Sequence, residues 1–269
     1  MKSKTNNEDY SAFNGILADP NWALPKKVAD SKDEARPGYT TYLANEYLDS
    51  DEVLKAKIKV LANLIKQSKN FVVYTGAGIS MSSGINDYAT KSKNSVTKKG
   101  SETINRLKAL PSLSHYALVE LYKAKYLKHW IQQNHDGLAQ KAGYPQKDLN
   151  EIHGSWFDKK NQVVLMDDKL KPENHKLLLE WEDKCDLCLS LGTSMSGMNS
   201  DRVASTAGAR ALKGEGFGLV IINLQKTQYD EYSSVRIFST LDKAMPLLLS
   251  ELELKLPKTL PLYDNPMLW

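Results

Sequence analysis

Cysteine is nearly absent: two residues in 269, Cys185 and Cys188, cannot knit a disulfide scaffold. Long apolar runs are missing too. None approaches the ~20 residues that a membrane helix needs. The opening residues, MKSKTNNEDY, lack the apolar segment of a secretory signal. These absences lead to the expectation of an intracellular protein, nuclear or cytoplasmic, with no membrane partner. Charge of one sign is scarce as well, with 36 basic against 32 acidic residues and a net charge of +4. That balance does not argue for direct nucleic-acid binding. The densest basic cluster, Lys91, Lys93, Lys98 and Lys99, stands among Ser, Thr and Asn and reads as a solvated loop.

An apolar content of 41% over this length is enough for one large domain, or one with a small satellite. The stretch that organises the rest is FVVYTGAGISMSSGINDY, residues 71–88. Phe71 to Tyr74 is β-branched and aromatic, the composition of a buried strand. Gly76 and Gly78 follow, one residue apart, and permit a tight turn where a phosphate could approach main-chain N–H groups. Ile79 and Ser80 would begin a helix facing that phosphate. The dinucleotide fingerprint wants a third glycine where Met81 stands, so this stretch is a moderate signal until the remainder is read.

Residues 1–36 are polar and read as a flexible N-terminal arm, 37–252 as the main domain and 253–269 as a tail. A helix is expected after the cap Ser50, with Val53, Leu54, Ile58, Leu61, Ala62 and Ile65 on one face. Residues 89–101 read as a loop hanging off the proposed phosphate site. A helix within 107–125 would be capped by Ser114. Strands are expected at 126–133, 187–191, 217–223 and 235–238, and helices at 172–184, 202–212 and 241–252. Residues 156–167 suggest a β-hairpin. Cys185 and Cys188 read as strand residues on opposite faces, hence buried structural thiols and not a metal pair. Strands alternate with helices and several are continuously apolar. The fold class is therefore α/β, a Rossmann-like parallel sheet with helices on both faces and a reduced small domain. Four strand ends carry polar or glycine turns, at 75–78, 133–136, 192–194 and 223–225. Ligands bind at such ends in open α/β sheets, so a nucleotide site is expected there.

The residues at those ends resemble the sirtuins, the NAD-dependent protein deacylases. The matching stretches are TGAGISMSSGINDY, QQNHDGLAQKAG, EIHGSW, LSLGTS and IINLQKT, in the family's order. The likeness covers roughly residues 46–252 and is nearest the chromatin-associated subgroup. It implies NAD as co-substrate. Gly76, Ala77 and Gly78 would line its phosphates and the adjoining ribose. Ser80, Met81, Ile85, Asp87 and Tyr88 would complete that wall. Gln133 would meet a ribose, and Asn134 with Asp136 would hold the nicotinamide end. Gly192, Thr193 and Ser194 would approach from the second junction. Asn223 and Gln225 would hold the adenosine ribose, with Leu241 near the adenine. His153, with Asn134, would be catalytic. Imidazole titrates near neutrality and can take a proton from a ribose hydroxyl. In the family mechanism the acyl oxygen of an acyl-lysine attacks the ribose as nicotinamide leaves, and the acyl group ends on ADP-ribose. The implied partner is an acyl-lysine protein or peptide, with a histone suggested by the subgroup. His135 stands where the family has an aliphatic residue and receives no role; His115, His129 and His175 receive none either.

The chain departs from the family at three places. Sirtuins usually carry a four-cysteine zinc ribbon after the catalytic histidine segment. Here residues 157–162 hold no cysteine, so no zinc is expected and the hairpin would stand in for the ribbon. The family's Asp-Phe-Arg reads Asp87-Tyr88-Ala89. Beyond Ser194, the run Met195 to Ser200 lacks the usual Val-x-Pro and reads as an adaptable substrate loop. Two other enzyme outcomes share the early chemistry: protein ADP-ribosyl transfer and NAD hydrolysis. A decayed NAD- or ADP-ribose-binding module is the non-enzymatic alternative.

Overall fold

The computed structural model describes residues 5–36, 38–86, 94–97, 107–165, 168–197 and 199–264. Asp87 and Tyr88, assigned above to the cofactor wall, and most of the loop at 89–101 lie outside these residues.

Six parallel strands form the main sheet. In chain order they are β3 (Phe71–Thr75), β4 (Leu127–Gln132), β5 (Leu149–Glu151), β6 (Leu187–Leu191), β7 (Gly218–Ile222) and β8 (Ser233–Ile237). In space the order is β5-β4-β3-β6-β7-β8. From β3 the chain lays strands down on one side, then returns to β6 and builds on the other. The reversal point lies between β3 and β6, where an open α/β sheet leaves a crevice at its carboxyl ends. A separate two-stranded antiparallel sheet pairs β1 (Lys26–Ala29) with β2 (Glu46–Leu48).

Side-chain alternation divides β3 between two cores. Phe71 and Val73 pack with Leu54, Ile58, Leu61 and Ile65 of α2 (Asp51–Gln67). The same cluster takes in α3 (Leu113–Lys123) and α7 (Leu241–Glu251). Val72 and Tyr74 face the other way, among residues of α5 (Pro172–Lys184) and α6 (Arg202–Ala211). Every residue of β3, β6 and β7 is buried, as expected for strands covered on both faces. Helix α2 follows its sequence closely: the Ser50 hydroxyl accepts from the Val53 N–H at 3.3 Å, and all six residues named for its inner face are buried.

Four local expectations need correction. The stretch before residue 37 is not irregular: it carries α1 (Thr5–Asn14) and β1. It is also docked, since the Ile16 and Leu17 N–H groups bond the Ser233 and Ser234 carbonyls at 2.9 Å. Helix α3 is capped by Ser112, not Ser114, because the His115 side chain returns a bond to the Ser112 N–H and completes a reciprocal box. Ser114 instead donates to Asp242 at 3.2 Å. The described residues of 156–165 form no strand pair and hence no hairpin. Cys185 caps the C-terminus of α5, not a strand, and joins Cys188 of β6 in one buried cluster. Burial, and then a hydrogen bond from its own thiol to Cys185, push Cys188 well above its usual range.

Candidate active site

The glycine turn after β3 meets the turn after β6 with no side chain between them. A Cβ on Gly78 would stand 2.6 Å from the Gly192 Cα, and one on Gly76 would stand 2.6 Å from the Thr193 Cβ. Gly192 itself is left-handed, with φ +56°. The contact is sealed by the Gly78 N–H donating to the Gly192 carbonyl at 2.8 Å and the Gly76 N–H to Leu191 at 3.1 Å. These two N–H groups are therefore spent within the protein, and the glycines serve backbone packing. The helix expected after them is a 3₁₀ turn, Ala77–Ser83, with Ser80 and Met81 buried inside it. It closes at Gly84, and the Ile85 N–H returns to the Ser80 carbonyl at 3.3 Å.

Strand β4 delivers its polar end to this turn. Asn134 Nδ2 lies 3.1 Å from both the Gly76 carbonyl and Ser80 Oγ. Ser80 donates in turn to Asp136 Oδ2 at 2.6 Å. The other oxygen of Asp136 accepts from the Leu138 N–H at 3.0 Å and starts α4 (Leu138–Lys141). Gln133 Nε2 reaches across to Thr193 Oγ1 at 2.7 Å, which ties the first junction to the second. Asn134, Asp136 and Ser80 thus form one chain of side chains, with Gln133 and Thr193 as its neighbouring bridge.

His153 follows β5 and approaches the same place. Its Nε2 is enclosed and has no hydrogen-bond partner. That enclosed nitrogen is the one placed to accept a proton. Burial, then the neighbouring His135 and Arg36, hold the imidazole down at about 4. At neutral pH His153 is therefore uncharged and able to accept a proton. His135, given no role from sequence, lies against it with ring centroids 6.5 Å apart. His135 also spans the two loops: Nδ1 is 3.0 Å from the Gly154 carbonyl, and its own carbonyl accepts from the Trp156 N–H at 2.9 Å. Nothing in its isolated sequence position signals this role, because the contact is made across two strands.

The third junction is built differently. Asn223 Nδ2 donates to the Gln225 carbonyl at 3.1 Å, folding the turn on itself. Beneath it Arg236 of β8 is fully buried and donates to the carbonyls of Asn223, Ile237 and Gln225 at 3.0, 2.7 and 2.5 Å. Its Nε binds Asp230 at 2.8 Å, and its guanidinium lies 3.6 Å from the Phe238 ring centroid. Sequence reading missed Arg236 because an arginine in an apolar strand has no recognisable motif. Leu241 is buried at the start of α7. Beyond Ser194, the loop expected to be adaptable is anchored at both ends. Met195 is fully buried at φ +50°, with its carbonyl held by Gln228 at 2.7 Å. Ser200 shares a 2.7 Å bond with Tyr74.

The donor set suits a dinucleotide: amides, hydroxyls, a carboxylate and one uncharged imidazole at the ends of four strands and the start of the loop after β5. Zinc does not fit the two cysteines. Both lie in the apolar core among Val72, Leu178 and Ala207, and among the described residues no group of three or more His, Cys, Asp or Glu could hold a metal.

Residues 89–161 match the Sir2 family. The chain is 34% identical over 257 residues to the NAD-dependent protein deacetylase SRT1 of Arabidopsis thaliana, covering 79% of this chain and 52% of that protein. It is 27% identical over 260 residues to the NAD-dependent protein deacetylase sirtuin-7 of Rattus norvegicus, covering 79% and 63%. The chain spans about half the length of the SRT1 proteins that it matches. Among solved structures, a Sir2 complex with p53 peptide and NAD+ superposes with a TM-score of 0.62 at 20% identity, covering 73% of this chain and 98% of the other. The six-stranded parallel sheet and its helices are those of the Sir2 fold.

Proposed function

The chain belongs to the Sir2 family, and on that premise we propose that it is an NAD-dependent protein-lysine deacylase. The observation that carries the proposal is the enclosed, unpartnered Nε2 of His153 beside the Gln133, Asn134, Asp136 and Ser80 network. An orphaned buried acceptor is costly unless a ligand satisfies it. NAD supplies an electrophilic ribose carbon with nicotinamide as leaving group. Asn134 and Asp136 orient the nicotinamide end, Ser80 couples them, and Gln133 and Thr193 face the ribose and phosphates. Asn223 and Gln225, on the platform of Arg236, hold the adenosine ribose, with Leu241 at the adenine. His153 accepts a proton at Nε2 from a ribose hydroxyl. A peptide carrying an acyl-lysine is the second substrate. A histone tail is its finer form, and it rests on the resemblance of residues 46–252 to the chromatin-associated subgroup, which also favours the nucleus over the cytoplasm.

The test follows nicotinamide and deacylated peptide from purified protein, NAD and an acetyl-lysine peptide. Release of both in equal amounts, dependent on peptide and lost in His153→Ala and Asn134→Ala, is expected. Nicotinamide without peptide would make the protein an NAD hydrolase. NAD binding with no turnover on any acyl chain would sink the deacylase reading.

A further inference from the structure

The loop after His153 stands where the family resemblance would place a metal ribbon, and asparagine amides occupy its root. Strand β5 is the outer strand of the sheet and has no strand neighbour on its far side. An edge of this kind leaves main-chain groups in need of partners. The Glu151 carbonyl, two residues before His153, receives two of them. Asn161 Nδ2 donates at 3.1 Å and Asn174 Nδ2, from α5, at 3.0 Å. Asn174 Nδ2 also donates to Asn161 Oδ1 at 3.0 Å, and Asn150 Nδ2 returns a bond to the Asn174 carbonyl at 2.9 Å. Each Asn174 amide hydrogen has an acceptor, and the Glu151 carbonyl also accepts from the Gly154 N–H at 2.9 Å.

From this root the loop closes over the base. The Ser155 N–H donates to the Asn161 carbonyl at 2.7 Å, and the Val164 N–H to the His153 carbonyl at 2.9 Å. Gly154 sits at φ +85°, so close to the loop that a Cβ there would meet the Gln162 carbonyl at 2.2 Å. The two peptide units that follow His153 are therefore held by a segment with no regular secondary structure of its own. That segment is held by Asn161 and Asn174.

We propose that Asn161 and Asn174 form an amide brace that positions His153, doing for this chain what a bound metal would otherwise do for the loop. The two asparagines are positioning residues, and the kinetic part of their test rests on the deacylase reading. Misplacing a catalytic group by about 1 Å costs up to about 100-fold in rate, so the effect belongs in kcat. Asn161→Asp keeps the shape and the Oδ1 acceptor but deletes the donor to Glu151. A fall in kcat of about tenfold or more is expected, with the KM for NAD within about twofold, because transition-state alignment is lost and ground-state binding is not. The wild-type rate should be unaffected by a chelator. An Asn161→Asp enzyme with wild-type kcat, or stoichiometric zinc in the purified protein, overturns the brace.

A second readout needs no turnover. NMR titration of the His153 ring in Asn161→Ala should show its protonation moving to higher pH, since a loosened loop admits water to Nε2. An unchanged titration overturns the brace even if the wild type deacylates nothing, so the two failures are distinguishable. Asn174→Ala leaves the Asn161 bond to Glu151 in place, and a smaller shift in the same direction is expected if Asn161→Ala folds poorly.

Discussion

At the ends of β3 and β6 glycine backbone rests on glycine backbone, whereas at the end of β5 an irregular loop hangs from two side-chain amides. The first wall is made by what the residues omit. Removing Cβ at residues 76, 78 and 192 lets two turns approach to a distance that any side chain would prevent. Tolerance there is small because atoms that could yield belong to the main chain. The second wall is made by what the residues add, namely amide groups with one donor and one acceptor end. It can be loosened without collision. A mutation in the first wall should therefore appear in stability and cofactor affinity, and one in the second should appear in rate.

The sharpest way to break that contrast is Arg236, which lies under the cofactor wall. Arg236→Met would leave Asp230 buried without its charged partner and take one donor away from each of three carbonyls. Breaking a buried pair from one side costs about 3–5 kcal/mol. Chemical denaturation should show a loss of that order, with weakened NAD binding in whatever fraction remains folded. A loss below about 1 kcal/mol, the net worth of an ordinary hydrogen bond, would mean that the platform is not held by this residue.

Gly78→Ala comes next. Its Cβ meets main-chain atoms of Gly192, and overpacking of this kind costs roughly 1–3 kcal/mol. Melting should fall and NAD affinity should fall with it, while kcat at saturating NAD changes little. A variant with native stability would show that the two turns can part freely, and the contrast between the walls would fail.

The smallest expected effect concerns His135, on the side of the base. In the proposed reaction His153 must be neutral to accept a proton, so activity should fall as pH drops through its titration, which lies at about 4 in the free protein. Burial is the first cause, and His135 is the second. Removing His135 takes away a neighbour whose positive charge opposes that of His153. In His135→Val the acid limb of kcat/KM should therefore move to higher pH, with Arg36 and the enclosure still acting. A limb that stays in place or moves to lower pH would separate the two histidines electrostatically.

Periodicity exposed the regular elements well. The inner face of α2, its Ser50 cap and the buried strands β3, β6 and β7 all follow from apolar spacing and one capping hydroxyl. The candidate site was legible at Thr75 to Gly78, Gln133 to Asp136, Gly192 to Ser194 and Asn223 to Gln225, since each is a polar run cut into an apolar one. The rest was not legible for reasons tied to particular contacts. Ser112 and Ser114 are equally good caps until the His115 ring chooses between them. Cys185 and Cys188 look like neighbours on one strand until the end of α5 takes the first. The hairpin expected at 156–167 fits the apolar pattern, but the described residues there hang from Asn161 and Asn174 and form no strand.

Amino-acid order alone dictated the strands, the helices and the polar residues at their ends, because hydrophobic periodicity and capping act over a few neighbouring residues. Which of those ends would face one another came from the crossover that places β3 beside β6 and β4 beside β5. Long-range packing also set the contacts of Arg236, His135, Asn161 and Asn174. Each works through groups distant in sequence or through an irregular loop, where a local pattern carries no record of the partner.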